Sequence, residues 1–326
     1  MKALLIGGTG IISSECSRLA VERGWELTVL NRGLESSRPP IEGAEVLVGD
    51  ATDPASVRAA IGSRTFDTVA TFRAFTPEQV QADVELFAGR TGQYVFISSA
   101  SAYSKPVVRL PITESTPLRN PFWRYSRDKI ACEDLLVAAY REQDFPATIV
   151  RPSHTYDPTL IPLDGGWTMI DRMRRGKPVV VHGDGTSFWT LTHSRDFAKG
   201  FVPLLGDPRT LGDAVHITSD EHLTWDAVAQ GLATAAGTTA DIVHVGSERL
   251  GRALPEWKDG IVGDKAHSLI FDNAKIKSIV PDFVATTTWA QGAREIVEWY
   301  DAHPEQQVVD TELDQKLDEL VAAERA

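Results

Sequence analysis

The stretch "ALLIGGTGIIS", residues 3–13, decides how the rest of the chain is read. A short apolar run ends in glycines at positions 7, 8 and 10, and the helical pattern "ISSECSRLAVERG" follows at once, with Gly24 as its stop. A continuous apolar run bounded by glycine reads as a buried strand. A glycine turn leading straight into a helix aims backbone amides at the positive end of the helix dipole, where an anion is favoured.

Working outward, the same unit recurs. "ELTVLNR", "AEVLVGD", "FDTVATF", "GQYVFISS" and "ATIVRP" read as further strands, with "PASVRAAIG", "PEQVQADVELFAG" and the segment around "RYSRDKIACEDLL" as helices between them. Strands alternating with helices of this length imply an α/β fold with a doubly wound parallel sheet. The strands are continuously apolar, as expected when helices cover both faces. After Pro152 the rhythm breaks. "TYDPTLIPLDGGWT" reads as loop, "MIDRMRRG" as helix and "PVVVHGDG" as a short strand. "SRDFAKGFVPLLG" resumes the helical pattern, and "DAVHIT" reads as a further strand of the main sheet. Thr224 is placed to cap the helix "TWDAVAQGLATAAG", and two helices close the chain. The expected division is residues 1–164 with 190–222 as a dinucleotide-binding domain, and 165–189 with 223–326 as a smaller, interwoven substrate-binding domain.

The bulk numbers agree with a cytoplasmic protein of ordinary globular composition. Of 326 residues, 42% are hydrophobic and 24% charged, and no apolar run approaches a membrane span. Cys16 and Cys132 lie far apart, which suggests neither a disulfide framework nor a metal site. The net charge of −12 argues against a nucleic-acid partner, since the one basic run is the short "RMRRGK" at residues 172–177.

Gly7 and Gly10 have the G-x-x-G spacing of a dinucleotide fingerprint, with Ser13 at the third glycine position, where a small residue lets helix and strand approach. The residues expected to hold an NAD or NADP cofactor are Gly7, Gly8, Thr9, Gly10, Ile11 and Ile12 at the turn, with Asn31, Arg32, Asp50 and Ala51 towards the adenosine end. The second strand ends Leu30-Asn31-Arg32-Gly33, without the carboxylate that favours NAD, and Arg32 is suited to a 2′-phosphate, so the expectation leans to NADP.

"RYSRDK" places Tyr125 four residues before Lys129, on one helix face. A free phenol has a pKa of about 10. A neighbouring cation would lower it. With Lys129 holding the nicotinamide ribose, Tyr125 would take the proton of a substrate alcohol while hydride leaves the same carbon. Ser98, Ser99 and Ser101, at the carboxyl end of the fifth strand, are candidates to hydrogen-bond the substrate oxygen.

"GGTGIIS", "VGDATD", "FISSASAY", "YSRDK" and "RPSHTYDP" occur in the order and near the spacings of the extended short-chain dehydrogenase/reductases, often called NAD-dependent epimerase/dehydratases. The resemblance spans the whole chain. It implies a Rossmann-type sheet with a small substrate domain, carbohydrate chemistry, and catalytic roles for Ser99, Tyr125 and Lys129. It also implies a homodimer paired through "PEQVQADVELFAG" and "KIACEDLLVAAYR", although both helices have an equal use in covering the sheet. Three positions depart from the pattern. Ala100 and Ser101 stand where related dehydratases carry an Asp-Glu pair, so elimination is not expected. Trp189 stands where nucleotide-sugar members carry a diphosphate-clamping arginine, and His154 stands where asparagine is expected. His154 has a side chain that can titrate near neutrality. With Arg73 and Ser101 these are the substrate-contact candidates, and a smaller sugar, glycoside or polyol competes with a nucleotide-linked one. The expected activity is epimerisation, or net oxidation or reduction, at a secondary alcohol of a sugar derivative. Two alternatives stand beside it: an RNA-binding protein resembling the chloroplast stem-loop binding proteins, and a cofactor-binding regulator without turnover.

Overall fold

The structure is a computed structural model that describes residues 1–33 and 40–326. Its centre is a seven-stranded sheet. The strands are β1 (Lys2–Ile6), β2 (Glu26–Asn31), β3 (Glu45–Val48), β4 (Thr68–Thr71), β5 (Tyr94–Ile97), β6 (Ala147–Pro152) and a seventh, Ala214–Ile217. From one edge the order is Ala214–Ile217, β6, β5, β4, β1, β2, β3, and every pairing is parallel. "DAVHIT" is the edge strand that its sequence announces.

Alternate side chains of each strand enter different cores. Leu5, Val29, Val95 and Val150 pack with Cys16 and Ala20 of α1 (Ser13–Glu22) and with Phe197 and Phe201 of the helix Ser194–Phe201. Leu4, Ile6, Val69 and Phe96 pack on the other face. There they meet α2 (Pro54–Ile61), α3 (Pro77–Phe87) and α4 (Arg124–Gln143) through Val57, Val84 and Leu136. Each such buried Val, Leu, Ile or Phe is worth roughly 1.5–3 kcal/mol relative to exposure. The apolar positions Val80, Val84 and Leu136 of the two helices considered for a dimer face are thus buried against the sheet.

A third core joins residues scattered along the chain. Tyr103 and Ile112, from between β5 and α4, pack with Tyr156, Trp167, Trp225 and Leu317. Three two-stranded sheets frame it. One pairs His154–Tyr156 with Leu191–His193, so the start of the expected loop after Pro152 is a short strand instead. That pairing bridges dozens of residues and has no local sequence signal. Thr224 does cap its helix, Trp225–Ala235, accepting from the Ala227 amide at 3.1 Å.

The basic run "RMRRGK" is consumed internally. The Arg172 guanidinium is fully buried and pairs with Asp314 and, at 2.9 Å, with Asp318 on the C-terminal helix Thr311–Arg325. Lys177 reaches the same two carboxylates at 3.1 and 2.7 Å, Arg175 reaches Asp314 at 3.2 Å, and Arg174 pairs with Asp301 at 2.7 Å. Among the described residues no helix is long and apolar enough to cross a membrane, and no group of three or more His, Cys, Asp or Glu could hold a metal ion.

Partial burial pushes the Asp314 carboxyl up, but hydrogen bonds from Arg172, Lys177 and Arg175 outweigh it and hold the pKa at about 2. A carboxylate depressed below its unfolded value stabilises the fold above about pH 4, and that contribution is lost as pH falls through the folded pKa. Asp314→Asn should therefore cost about 1–3 kcal/mol at neutral pH by leaving Arg172 short of an acceptor. Urea unfolding at pH 7 and pH 3 tests this, and the gap between wild type and variant should narrow at the lower pH.

Candidate active site

The strand order reverses between β1 and β4, so the crevice of an open parallel sheet falls at the carboxyl ends of these strands. A cavity of about 410 Å³ lies there. It runs from the glycine turn to Trp189, Leu269 and Phe271 in the third core.

The turn is built for a close approach. Gly7 has φ +81°, and a Cβ there would collide with the Arg73 side chain. A Cβ on Gly8 would lie 2.7 Å from Val29 Cγ1, so only glycine seats the turn on β2. Ser13 does more than stay small. Its hydroxyl donates to the Gly7 carbonyl at 2.5 Å and accepts from the Gly10 amide at 2.8 Å, locking the turn to the first residue of α1. Gly7, Gly10, Ile11 and Ile12 line the cavity, whereas Gly8 and Thr9 do not. Asn31, Arg32, Asp50 and Ala51 also lie outside it, at the carboxyl ends of β2 and β3. There Asn31 Oδ1 accepts from the Gly33 amide at 2.9 Å. Asp50 Oδ1 accepts from the Thr52 amide and hydroxyl at 2.9 and 2.7 Å, bonds that hold its carboxyl below the usual range. Arg32 is exposed. The turn thus has the shape and free helix N-terminus for a dinucleotide pyrophosphate, and no carboxylate ends β2.

Ser99, Tyr125 and Lys129 all line the cavity, as do Arg73, Ser101, His154 and Trp189. The three serines separate by role. Ser98 turns away and donates to buried Glu133 at 2.5 Å. Ser99 Oγ lies 2.9 Å from Ser101 Oγ, which in turn accepts from Ser126 at 2.8 Å.

The lysine does not do what its spacing suggests. Its ammonium donates to the carbonyls of Ala74 and Ile97, each at 2.7 Å, and lies 5.8 Å from the centre of the Tyr125 ring. Burial dominates the phenol and pushes it up to about 12, against the hydrogen bond from Ser99 and with help from the charge of Asp264. The expectation that Lys129 acidifies the phenol is corrected: burial instead raises it, and the ammonium is bound by the carbonyls of Ile97, at the end of β5, and Ala74, beyond β4. Burial lowers Lys129 itself to about 8. His154 also differs from expectation. Burial, then the charge of Lys265, lowers it to about 4, so it is a neutral imidazole at pH 7.

Two residues of the site went unsuspected in the sequence. Asp264 lines the cavity from a single π-helical turn, Ile261–Lys265. Asn120 fixes that turn: its amide donates to the carbonyls of Ser101 at 3.0 Å and Gly263 at 2.8 Å, and its Oδ1 accepts from the Phe122 and Trp123 amides at 3.2 Å each. One side chain therefore joins the serine loop, the start of α4 and the turn bearing Asp264. Asp264 sits in the polar segment "GDKAH", residues 263–267, where no spacing points to the cavity. Of the tryptophans near the substrate region, Trp123 and Trp189 line the cavity, whereas Trp167 and Trp225 pack in the third core.

Comparison with known proteins agrees with this geometry. The model of the NAD dependent epimerase/dehydratase family matches residues 3–217. A chloroplast stem-loop binding protein of 41 kDa from Arabidopsis thaliana is 27% identical over 256 residues, which are 74% of this chain but only 65% of that protein. The 2'-dehydrokanamycin reductase of Streptomyces kanamyceticus is 25% identical over 289 residues, covering 87% of this chain and 80% of the reductase. An epimerase from Methanothermobacter thermautotrophicus superposes with a TM-score of 0.77 at 17% identity, covering 94% of each chain.

The buried amine makes a prediction with a definite sign. Lys129 holds its proton less firmly folded than unfolded, so its contribution to stability rises as pH climbs from about 8 to about 10.5. The stability difference between wild type and Lys129→Met, from denaturant unfolding, should shift towards wild type across that window and stay flat from pH 6 to 7.

Proposed function

This chain belongs to the NAD dependent epimerase/dehydratase family, and on that footing we propose that it is an NAD(P)-dependent epimerase or oxidoreductase of a sugar-like secondary alcohol. The observation that carries the reading is the convergence of the glycine turn with Ser99, Tyr125 and Lys129 on one cavity. Gly7, Gly10, Ile11 and Ile12 would hold the pyrophosphate at the N-terminus of α1. A bound nicotinamide would supply or accept hydride. The chain's own part is the proton. With its pKa at about 12, the Tyr125 phenol is protonated at neutral pH and ready to donate to a carbonyl oxygen. Ser99 is placed to hydrogen-bond the same oxygen and steady its developing charge. The reverse reaction asks Tyr125 to take a proton that the pocket, by itself, keeps on the phenol.

Ala100 and Ser101 offer no acid–base pair for elimination, and the Ser101 hydroxyl is engaged by Ser126 and Ser99. This favours epimerisation or simple redox, and the likeness to the 2'-dehydrokanamycin reductase points the same way. The likeness to a stem-loop binding protein raises RNA as a ligand, but the basic run at residues 172–177 is paired with acidic side chains. A cytoplasmic homodimer remains part of the proposal.

Tyr125→Phe should lower turnover by about 10²–10⁴-fold while leaving cofactor binding intact. Steady-state rates and a nicotinamide fluorescence titration test it, and unchanged turnover would overturn the reading. Arg32→Glu should weaken NADPH binding by about tenfold with little effect on NADH. An equal effect on both would remove the lean to NADP.

A further inference from the structure

Asp264 faces the same cavity as the phenol, yet the proton chemistry above does not use it. Its mount is rigid. On one side, Asn120 grips the carbonyl of Gly263. On the other, the carbonyl of Lys265 accepts from His182 Nε2, Ser187 Oγ and Trp225 Nε1 at 3.0, 3.0 and 3.1 Å. Such π-helical turns are rare and frequent at functional sites. The carboxylate has one ion-pair partner among the described residues, Lys105, 3.3 Å from Oδ1 and fully buried behind it. Asp264 Oδ1 has no aligned hydrogen-bond donor.

The cations of the cavity wall are placed elsewhere. Lys129 is held by two carbonyls. Arg73 lies against the glycine turn, its guanidinium 5.2 Å from the centre of the Phe75 ring. The far end of the cavity instead presents the neutral His154 imidazole and Trp189, whose indole N–H is buried without an acceptor. A diphosphate needs charge-assisted donors such as arginine, and an adjacent carboxylate repels it. A hydroxyl or ammonium group has the opposite preference.

We propose that Asp264 reads the substrate, and that the substrate is a sugar or cyclitol free of nucleotide diphosphate, presenting a hydroxyl or ammonium donor to this carboxylate. The inference rests on the reading of the cavity as the site of an NAD(P)-dependent sugar enzyme.

The test is equilibrium binding to the NAD(P)H-loaded protein, read by quenching of the cavity tryptophans Trp123 and Trp189. The probes are glucosamine, methyl glucoside and UDP-glucose. One or both small sugars should bind at least about tenfold tighter than UDP-glucose, and the better of the two tells whether ammonium or hydroxyl is preferred. Asp264→Asn leaves Lys105 uncompensated, so it should shift the ratio of small-sugar to UDP-glucose affinity by about tenfold or more towards UDP-glucose. The double variant Lys105→Met/Asp264→Asn removes both charges, avoiding an unpaired buried ammonium, and should also lose the preference for the small sugar. Tighter binding of UDP-glucose by wild type, no binding of either small sugar at high millimolar concentration, or an unchanged ratio in both variants overturns the inference. A preference for UDP-glucose together with loss of turnover in Tyr125→Phe would remove this inference and leave the proposed activity standing.

Discussion

Lys129 cannot be buried as an ammonium unless it finds acceptors, and the acceptors this sheet offers are main-chain carbonyls at its strand ends. The side chain takes one from Ile97, the last residue of β5, and one from Ala74, just beyond β4. Those bonds set the depth and rotation of α4 against the sheet. One turn earlier on the same face stands Tyr125, and one turn later Glu133, which Arg151 of β6 clasps at 2.5 Å. Lys129 and Glu133 thus stitch the helix to the sheet, while Tyr125 and Lys129 both meet the cavity.

Burial keeps the Tyr125 proton in place, Ser99 supplies a hydrogen bond, and Asp264 adds a negative charge that further opposes phenolate. Under the proposed activity, such a phenol serves as an acid towards a carbonyl oxygen. Its neutral His154 and unpartnered Trp189 indole give the far wall polarity without positive charge. On the proposed reading, the same cavity divides into a pyrophosphate end at the glycines and a substrate end at the Asp264 carboxylate.

Much of this could be read in advance, for a physical reason. Strand and helix periods are local, so the alternation of the main sheet, the turn at residues 7–10 and the shared face of Tyr125 and Lys129 are all written within a few residues of one another. What stayed hidden is long-range. Asn120 finds Gly263 across more than a hundred positions, and Arg172 finds Asp314 at a similar remove. The resemblance singles out Ser99, but why Ser98 is excluded needed the structure, which turns Ser98 towards Glu133. The direction of the phenol's shift needed its burial, which no spacing rule contains. The basic run looked free because its acidic partners come from the last helix.

The last helix also governs the order in which the molecule can be completed during synthesis. Strands β1–β6 have left the ribosome by Pro152, and the seventh follows at Ile217, so the sheet can close while translation continues. Arg172 emerges between them with nothing to neutralise it. Its carboxylates arrive only with Asp314, 142 positions later, and with Asp318 on the same helix. Until then the guanidinium must stay in water, and the third core must stay open around it. The third core can therefore seal around Arg172 only once the helix that carries Asp314 and Asp318 has been made.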